Sequence, residues 1–219
     1  MKIILSLSIM LLQLFFCWLG AATPIDGLYS SIFGGYTFIP DDISKVKLGS
    51  FFNQISYNSS YNVGGRFGLQ NGNLRYESEI TYIQGNVNKF SVNNISQLQT
   101  NGQIMAIFGM ANIYYDFPEM IPSIVPFAGV GLGGGWVQAK FSNNSPTIIP
   151  KNIVNFKAED GVFAYQGTFG LTYNFAENYA LNIAYRYIGT DKVNSFGKIF
   201  QAHLGSVGVV YRFDEDYYK

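Results

Sequence analysis

From Gly161 to Ile188 the chain alternates strictly by parity. Phe163, Tyr165, Phe169, Leu171, Tyr173 and Phe175 lie on one parity, interrupted by Gly167, while Ala164, Gln166, Thr168, Gly170, Thr172 and Asn174 lie between them. After Ala176-Glu177-Asn178 the pattern resumes, with Tyr179, Leu181, Ile183, Tyr185 and Tyr187 opposite Ala180, Asn182, Ala184 and Arg186. Successive strand side chains point to opposite faces, so this stretch predicts a β-hairpin with one apolar and one polar face. Each run reaches about 10 residues, the length a tilted strand needs to cross a hydrocarbon core. The apolar face is therefore assigned to lipid and the polar face to the lumen of a small barrel.

Six further strands follow from the same reading. The first, Leu28 to Phe38, carries Leu28, Ile32, Tyr36 and Phe38 on one parity. The second runs from Asn62 to Gln70 and is joined to the third, Leu74 to Ile83, by Asn71-Gly72, two residues that tolerate positive φ. The fourth, Gln103 to Phe117, places Met105, Ile107, Ala111, Ile113 and Tyr115 on the apolar parity. Its other parity mixes Phe108 and Met110 with Asn112, Tyr114 and Asp116, which leaves the facing of its first half open. The fifth, Pro126 to Phe141, repeats glycine at 129, 131, 133 and 135 on one parity, as small inward residues in a narrow lumen would require. The hairpin supplies the sixth and seventh, and Gln201 to Phe213 the eighth. Connections alternate long and short, the arrangement of external loops and periplasmic turns. The expected fold is all-β, an eight-stranded antiparallel up-and-down transmembrane β-barrel.

Charge sharpens this. Arg66, Arg75, Glu77, Glu79, Asp116, Arg186 and Arg212 all lie on the parity opposite the apolar one; Lys140 departs from it near a loop end. An arginine or lysine facing lipid at mid-bilayer costs about 2–4 kcal/mol, so the pattern carries energetic meaning. A soluble ligand-binding barrel would show the reverse, with apolar residues lining the pocket. Eight strands enclose little more than side chains, so these seven residues are expected to form an ion-pair network that plugs the lumen. A weakly selective pore lined by the same residues is the alternative.

Composition agrees: charged residues are only 13%, aromatics 17%, and there are 24 glycines. The 14 basic and 14 acidic residues balance, which gives no reason to expect nucleic acid as a partner. Met1-Lys2, an apolar run from Ile3 to Leu19 and Gly20-Ala21-Ala22 read as a signal peptide over residues 1–22, cleaved after Ala22. That leaves residues 23–219 as the barrel with four long external loops, without cysteine, since the single Cys17 lies in the leader.

Catalytic signals are weak. The single histidine, His203, lies three residues from Ser206, which puts the two on opposite faces of a strand and leaves His203 interfacial. No catalytic residue, cofactor or metal is expected. Asp214, Glu215 and Asp216 read as a solvated tail, and Phe51 and Phe52, in the first long loop, as candidate contacts. Tyr115, Phe127, Tyr173, Phe175, Tyr179, Tyr211 and Phe213 gather near the short-turn ends, as an interfacial aromatic girdle does.

The runs Met110-Ala-Asn-Ile-Tyr-Tyr-Asp-Phe117, Pro126-Phe-Ala-Gly-Val-Gly-Leu-Gly133, Ala164-Tyr-Gln-Gly-Thr-Phe-Gly-Leu-Thr-Tyr173 and Val209-Val-Tyr-Arg-Phe213 resemble the eight-stranded outer-membrane β-barrel superfamily. That superfamily includes the OmpA transmembrane domain, OmpX and Opa proteins, and the likeness is to its surface-antigen branch. The chain departs from it in that six residues, Asp214 to Lys219, follow the terminal aromatic Phe213. The resemblance implies the outer membrane of a Gram-negative bacterium, surrounding lipid, the outer-membrane assembly machinery and host-surface molecules as partners, and a monomer. It implies an adhesin-type surface antigen, with a small porin-like channel as the alternative and a lipid A-modifying enzyme as the weaker one.

Overall fold

The computed structural model describes residues 26–40, 52–92, 95–96, 100–121, 123–143, 155–193 and 198–213. The leader with Cys17, Phe51 and the tail from Asp214 lie outside these residues. Eight long strands account for nearly all of the rest: β1 (Gly27–Phe38), β2 (Phe52–Asn71), β3 (Leu74–Val92), β4 (Thr100–Asp116), β5 (Ile124–Asn143), β6 (Asn155–Asn174), β7 (Tyr179–Val193) and β8 (Lys198–Arg212). Each pairs antiparallel with the next, and β8 pairs with β1 from Tyr29↔Arg212 to Phe38↔His203, which closes the barrel. A two-residue piece, Ile95–Ser96, adds a short ribbon beside the end of β3.

The strands are longer than the alternation predicts. β2 begins at Phe52 rather than Asn62, β3 continues to Val92, and β6 begins at Asn155. Phe52, expected in a loop, opens β2 opposite Val92. These extensions are rich in Asn, Ser and Gln, and pairing persists there although the sequence alternation is lost. They are unevenly distributed. β2 pairs with β1 only as far as Thr37↔Ser60, and β6 with β7 only as far as Ala164↔Thr190. Beyond those points β2 to β6 continue as a five-stranded sheet, taller than the wall formed by β7, β8 and β1.

The hairpin after β2 is shifted by one residue from the expected Asn71-Gly72. The loop residues are Gly72 and Asn73, and Gly72 takes φ +57°, a conformation suited to glycine at the first central position.

Facing follows parity. Ile32 is 73% exposed, Ile80 66% and Ile183 59%, an outward apolar wall that water would penalise and lipid accepts. Inside, Phe108, Met110 and Tyr114 are buried, so the open facing of β4's first half resolves toward the lumen. The glycines of β5 make this geometrically feasible: a Cβ on Gly129 would collide with the Tyr114 ring, and one on Gly135 with the Phe108 ring.

Aromatic belts bound the wall. At the short-turn end Phe175, Tyr179, Tyr211 and Phe213 form successive ring contacts of 6.2, 5.1 and 5.1 Å, and Phe67 continues the line at 6.4 Å from Phe213. Phe127 does not belong to this girdle. It is buried in the lumen, edge-on to Tyr114 at 5.8 Å, because its parity on β5 is that of the inward glycines. Toward the other end Phe38, Tyr185, Tyr187 and His203 cluster, and Tyr61 and Tyr82 both donate to Gln84. The eight residue steps from Tyr179 to Tyr187 correspond to about 20 Å along the axis of a barrel with strands tilted roughly 40°, matching a ~25 Å apolar band. Lys140, exposed, lies four residues past Trp136 toward the outer end of β5.

Candidate functional site: the charged lumen

The lumen has two layers. Toward the outer end Ile83, Ile104, Phe108, Val137, Ile188, Phe200 and Leu204 form a continuous apolar cluster. Below it, charged side chains on β2, β3, β4 and β7 meet in a chain of alternating sign. β3 supplies Arg75, Glu77 and Glu79, two residues apart and so on one face.

Starting from the short-turn end, Asp116 Oδ1 lies 2.8 Å from Arg75 Nη2 and accepts from Arg75 Nε at 2.9 Å. Arg75 Nη1 donates to Glu77 at 3.3 Å, and Glu77 lies 3.5 Å from Arg66 Nε. Arg66 Nε donates to Glu79 Oε2 at 2.8 Å, across a direct cross-strand pair of β2 and β3. Glu79 Oε1 accepts from Arg186 Nη1 at 2.5 Å. Arg186 lies on β7, four strands from β3 in either direction around the ring, so this last pair spans the lumen. Arg186 has no solvent exposure and also donates to Thr81, Asn62 and Ser206.

Ion pairs this deep are tolerated only when every charge is matched and hydrogen-bonded. Three neutral groups help. The hydroxyl of Tyr29 donates to Glu77 at 2.5 Å, and that of Thr81 to Glu79 at 2.6 Å. Phe33, inward on β1, lies between two guanidinium groups, 4.3 Å from Arg66 and 4.2 Å from Arg186. Arg75 packs likewise over Phe127 at 4.6 Å and Tyr114 at 5.2 Å. Such cation–π contacts strengthen when desolvated. Phe33 was not singled out from the sequence, although it shares parity with Ser31 and Tyr29 rather than with the lipid-facing Ile32; that parity was the available signal.

Six of the seven charged residues expected in the network thus connect in one chain. Arg212 does not join it: it is buried, and its Nη2 donates to Asn174 Oδ1 at 2.8 Å rather than to a carboxylate. The pairing of His203 with Ser206 is not formed either. His203 Nδ1 lies 2.6 Å from the Tyr185 hydroxyl on the outer wall, while Ser206 is buried and donates to Asn62 at 2.8 Å.

An apolar wall between aromatic belts around a charged, packed interior defines an outer-membrane-type transmembrane barrel. The chain belongs to the family described as outer membrane protein beta-barrel domain, which matches residues 20–213. A protein of Gluconacetobacter diazotrophicus described as "Outer membrane protein" is 29% identical over 187 residues, 77% of this chain and 48% of that protein. The chain thus spans about half the length of that curated relative. Among solved structures, Neisserial surface protein A superposes with a TM-score of 0.56 at 16% identity, covering 85% of this chain and 97% of that one. OprG of Pseudomonas aeruginosa gives 0.51 at 12%, covering 88% and 99%. At these identities the structural likeness concerns the fold. The family places the protein in the bacterial outer membrane, with lipid around its wall.

Proposed function

We propose that this protein is a surface antigen of adhesin type, a sealed barrel that anchors an outward wall for contact with host or environmental molecules. The observation that carries this reading is the contrast between the barrel's two halves. The membrane half spends its interior on ion pairs and apolar packing, whereas β2 to β6 continue together past the outer aromatic cluster. Long extensions at the external end suit recognition, since scaffold-mounted loops commonly carry binding. The separation of His203 from Ser206 favours a non-enzymatic role over lipid A chemistry. A cleaved leader over residues 1–22, insertion by the outer-membrane assembly machinery and a monomeric state complete the reading, and the balanced charge gives no reason to expect nucleic acid as a partner.

The test trims the outer extensions of β2 and β3, replacing residues 41–58, which lead from β1 into β2, and residues 86–103, which lead from β3 into β4, each with a two-residue turn. Bacteria displaying the trimmed protein should bind host cells at least about tenfold less than those displaying the full wall, while the purified barrel keeps heat-modifiable gel migration. Undiminished adhesion by a folded, surface-displayed trimmed barrel would sink the adhesin reading.

A further inference from the structure

The short-turn end of the lumen holds a cavity of about 220 Å³, lined among others by Arg75, Gln70, Asp116, Thr172, Asn174 and Arg212. Short turns face the periplasm in barrels of this kind. We propose that this cavity is a binding site for a small oxyanion, a carboxylate or phosphate group presented from the periplasmic side.

Hydrogen-bond inventory argues for an acceptor-bearing ligand. Arg212 is 5% exposed, and its Nε and Nη1 have no protein partner. Its third nitrogen is held by Asn174 Oδ1 at 2.8 Å, which fixes the guanidinium plane and leaves Asn174 Nδ2 as another buried donor without a partner. The acceptors nearby are already engaged. Asp116 Oδ1 takes Arg75, and Asp116 Oδ2 takes Gln70 at 3.4 Å. Three unmatched donors therefore line one cavity whose buried carboxylate, Asp116, is committed elsewhere, and buried donors left unmatched are costly.

Charge points the same way. The alternating chain uses Arg66, Arg75 and Arg186 against Glu77, Glu79 and Asp116, three against three. Arg212 is a fourth cation, and among the described residues it forms no ion pair. A singly charged oxyanion would neutralise it, and the planar guanidinium fork matches carboxylate and phosphate geometry. The volume is roughly that of seven water molecules, enough for such a group. Glu119 also lines the cavity, but it is exposed at the rim.

The experiment is calorimetric titration of the folded barrel in neutral nanodiscs with inorganic phosphate and with acetate. Saturable binding in the millimolar range or tighter is expected. Arg212→Gln should weaken it at least about tenfold and Arg212→Lys less, with heat-modifiable migration retained in both. Nanodiscs containing phosphatidylglycerol separate two sources of the same chemistry. Suppressed phosphate binding there identifies a lipid headgroup as the ligand, and unchanged binding a free solute. The absence of saturable binding by either anion, or equal binding by wild type and Arg212→Gln, would overturn the proposal. So would binding that appears only after Asp214, Glu215 and Asp216 are replaced by their amides, since the chain would then supply its own oxyanion.

Discussion

Glu79→Ala is expected to destabilise the barrel by about 3–5 kcal/mol, the cost of leaving buried charges unmatched. Glu79 is the carboxylate on which two arginines converge, Arg66 at 2.8 Å and Arg186 at 2.5 Å, and it also accepts from Thr81. Its removal strands Arg186 at the centre of the lumen, where no solvent reaches it. Urea unfolding in lipid vesicles, followed by Trp fluorescence, measures the loss directly. The double variant Glu79→Ala/Arg186→Met separates pairing from packing. With the stranded cation gone, it should recover much of the loss, giving a coupling energy of about 1–3 kcal/mol. A single-variant loss below about 0.5 kcal/mol would mean that the lumen is solvated and that the pair bears little on stability.

Ile183→Arg should cost about 2–4 kcal/mol, and Ile199→Arg no more than about 1 kcal/mol. Both residues face outward and are exposed, at 59% and 40%. They differ in depth: Ile183 lies midway between Tyr179 and Tyr187, whereas Ile199 lies four residues beyond His203 toward the outer end. Water around the barrel would make both substitutions nearly neutral, because arginine on a wetted strand face loses little. Unfolding titrations of the two variants in the same vesicles should therefore show a depth-dependent difference. Equal, small effects would contradict a lipid-facing wall.

The membrane-crossing half of the fold was legible because a bilayer imposes a strict rule. Phe169, Leu171, Ile183 and Val207 had to be apolar, and Arg66, Glu79 and Arg186 had to lie on the opposite parity, so period 2 alone located strands and faces. The same rule fails wherever lipid is absent. Residues 52–61 and 84–92 pair in β2 and β3, but their sequence carries no alternation to read. For a related reason Phe108 and Met110 left the facing of β4's first half open, and Phe127 was assigned to the girdle. An apolar residue on the inward parity satisfies the lumen's packing without violating the lipid rule, so parity permitted it without announcing it. The site was legible by residue and not by pairing. Parity brought seven charges inside, but which of them meet depends on ring closure. Arg186 reaches Glu79 because β7 and β3 lie on opposite sides of an eight-stranded ring, whereas Arg212 pairs with Asn174, and Asp116, which lines the same cavity, is held by Arg75.

Ring closure also makes the lumen's state directly measurable. The Arg186–Glu79 bridge spans the lumen, and the apolar layer lies above it. Single-channel recording of the folded protein in planar bilayers tests this most directly. A sealed lumen predicts no stable openings from the wild-type barrel across the usual voltage range. Stable openings whose conductance changes on Arg186→Ala would contradict it and would make the charged chain the lining of a pore.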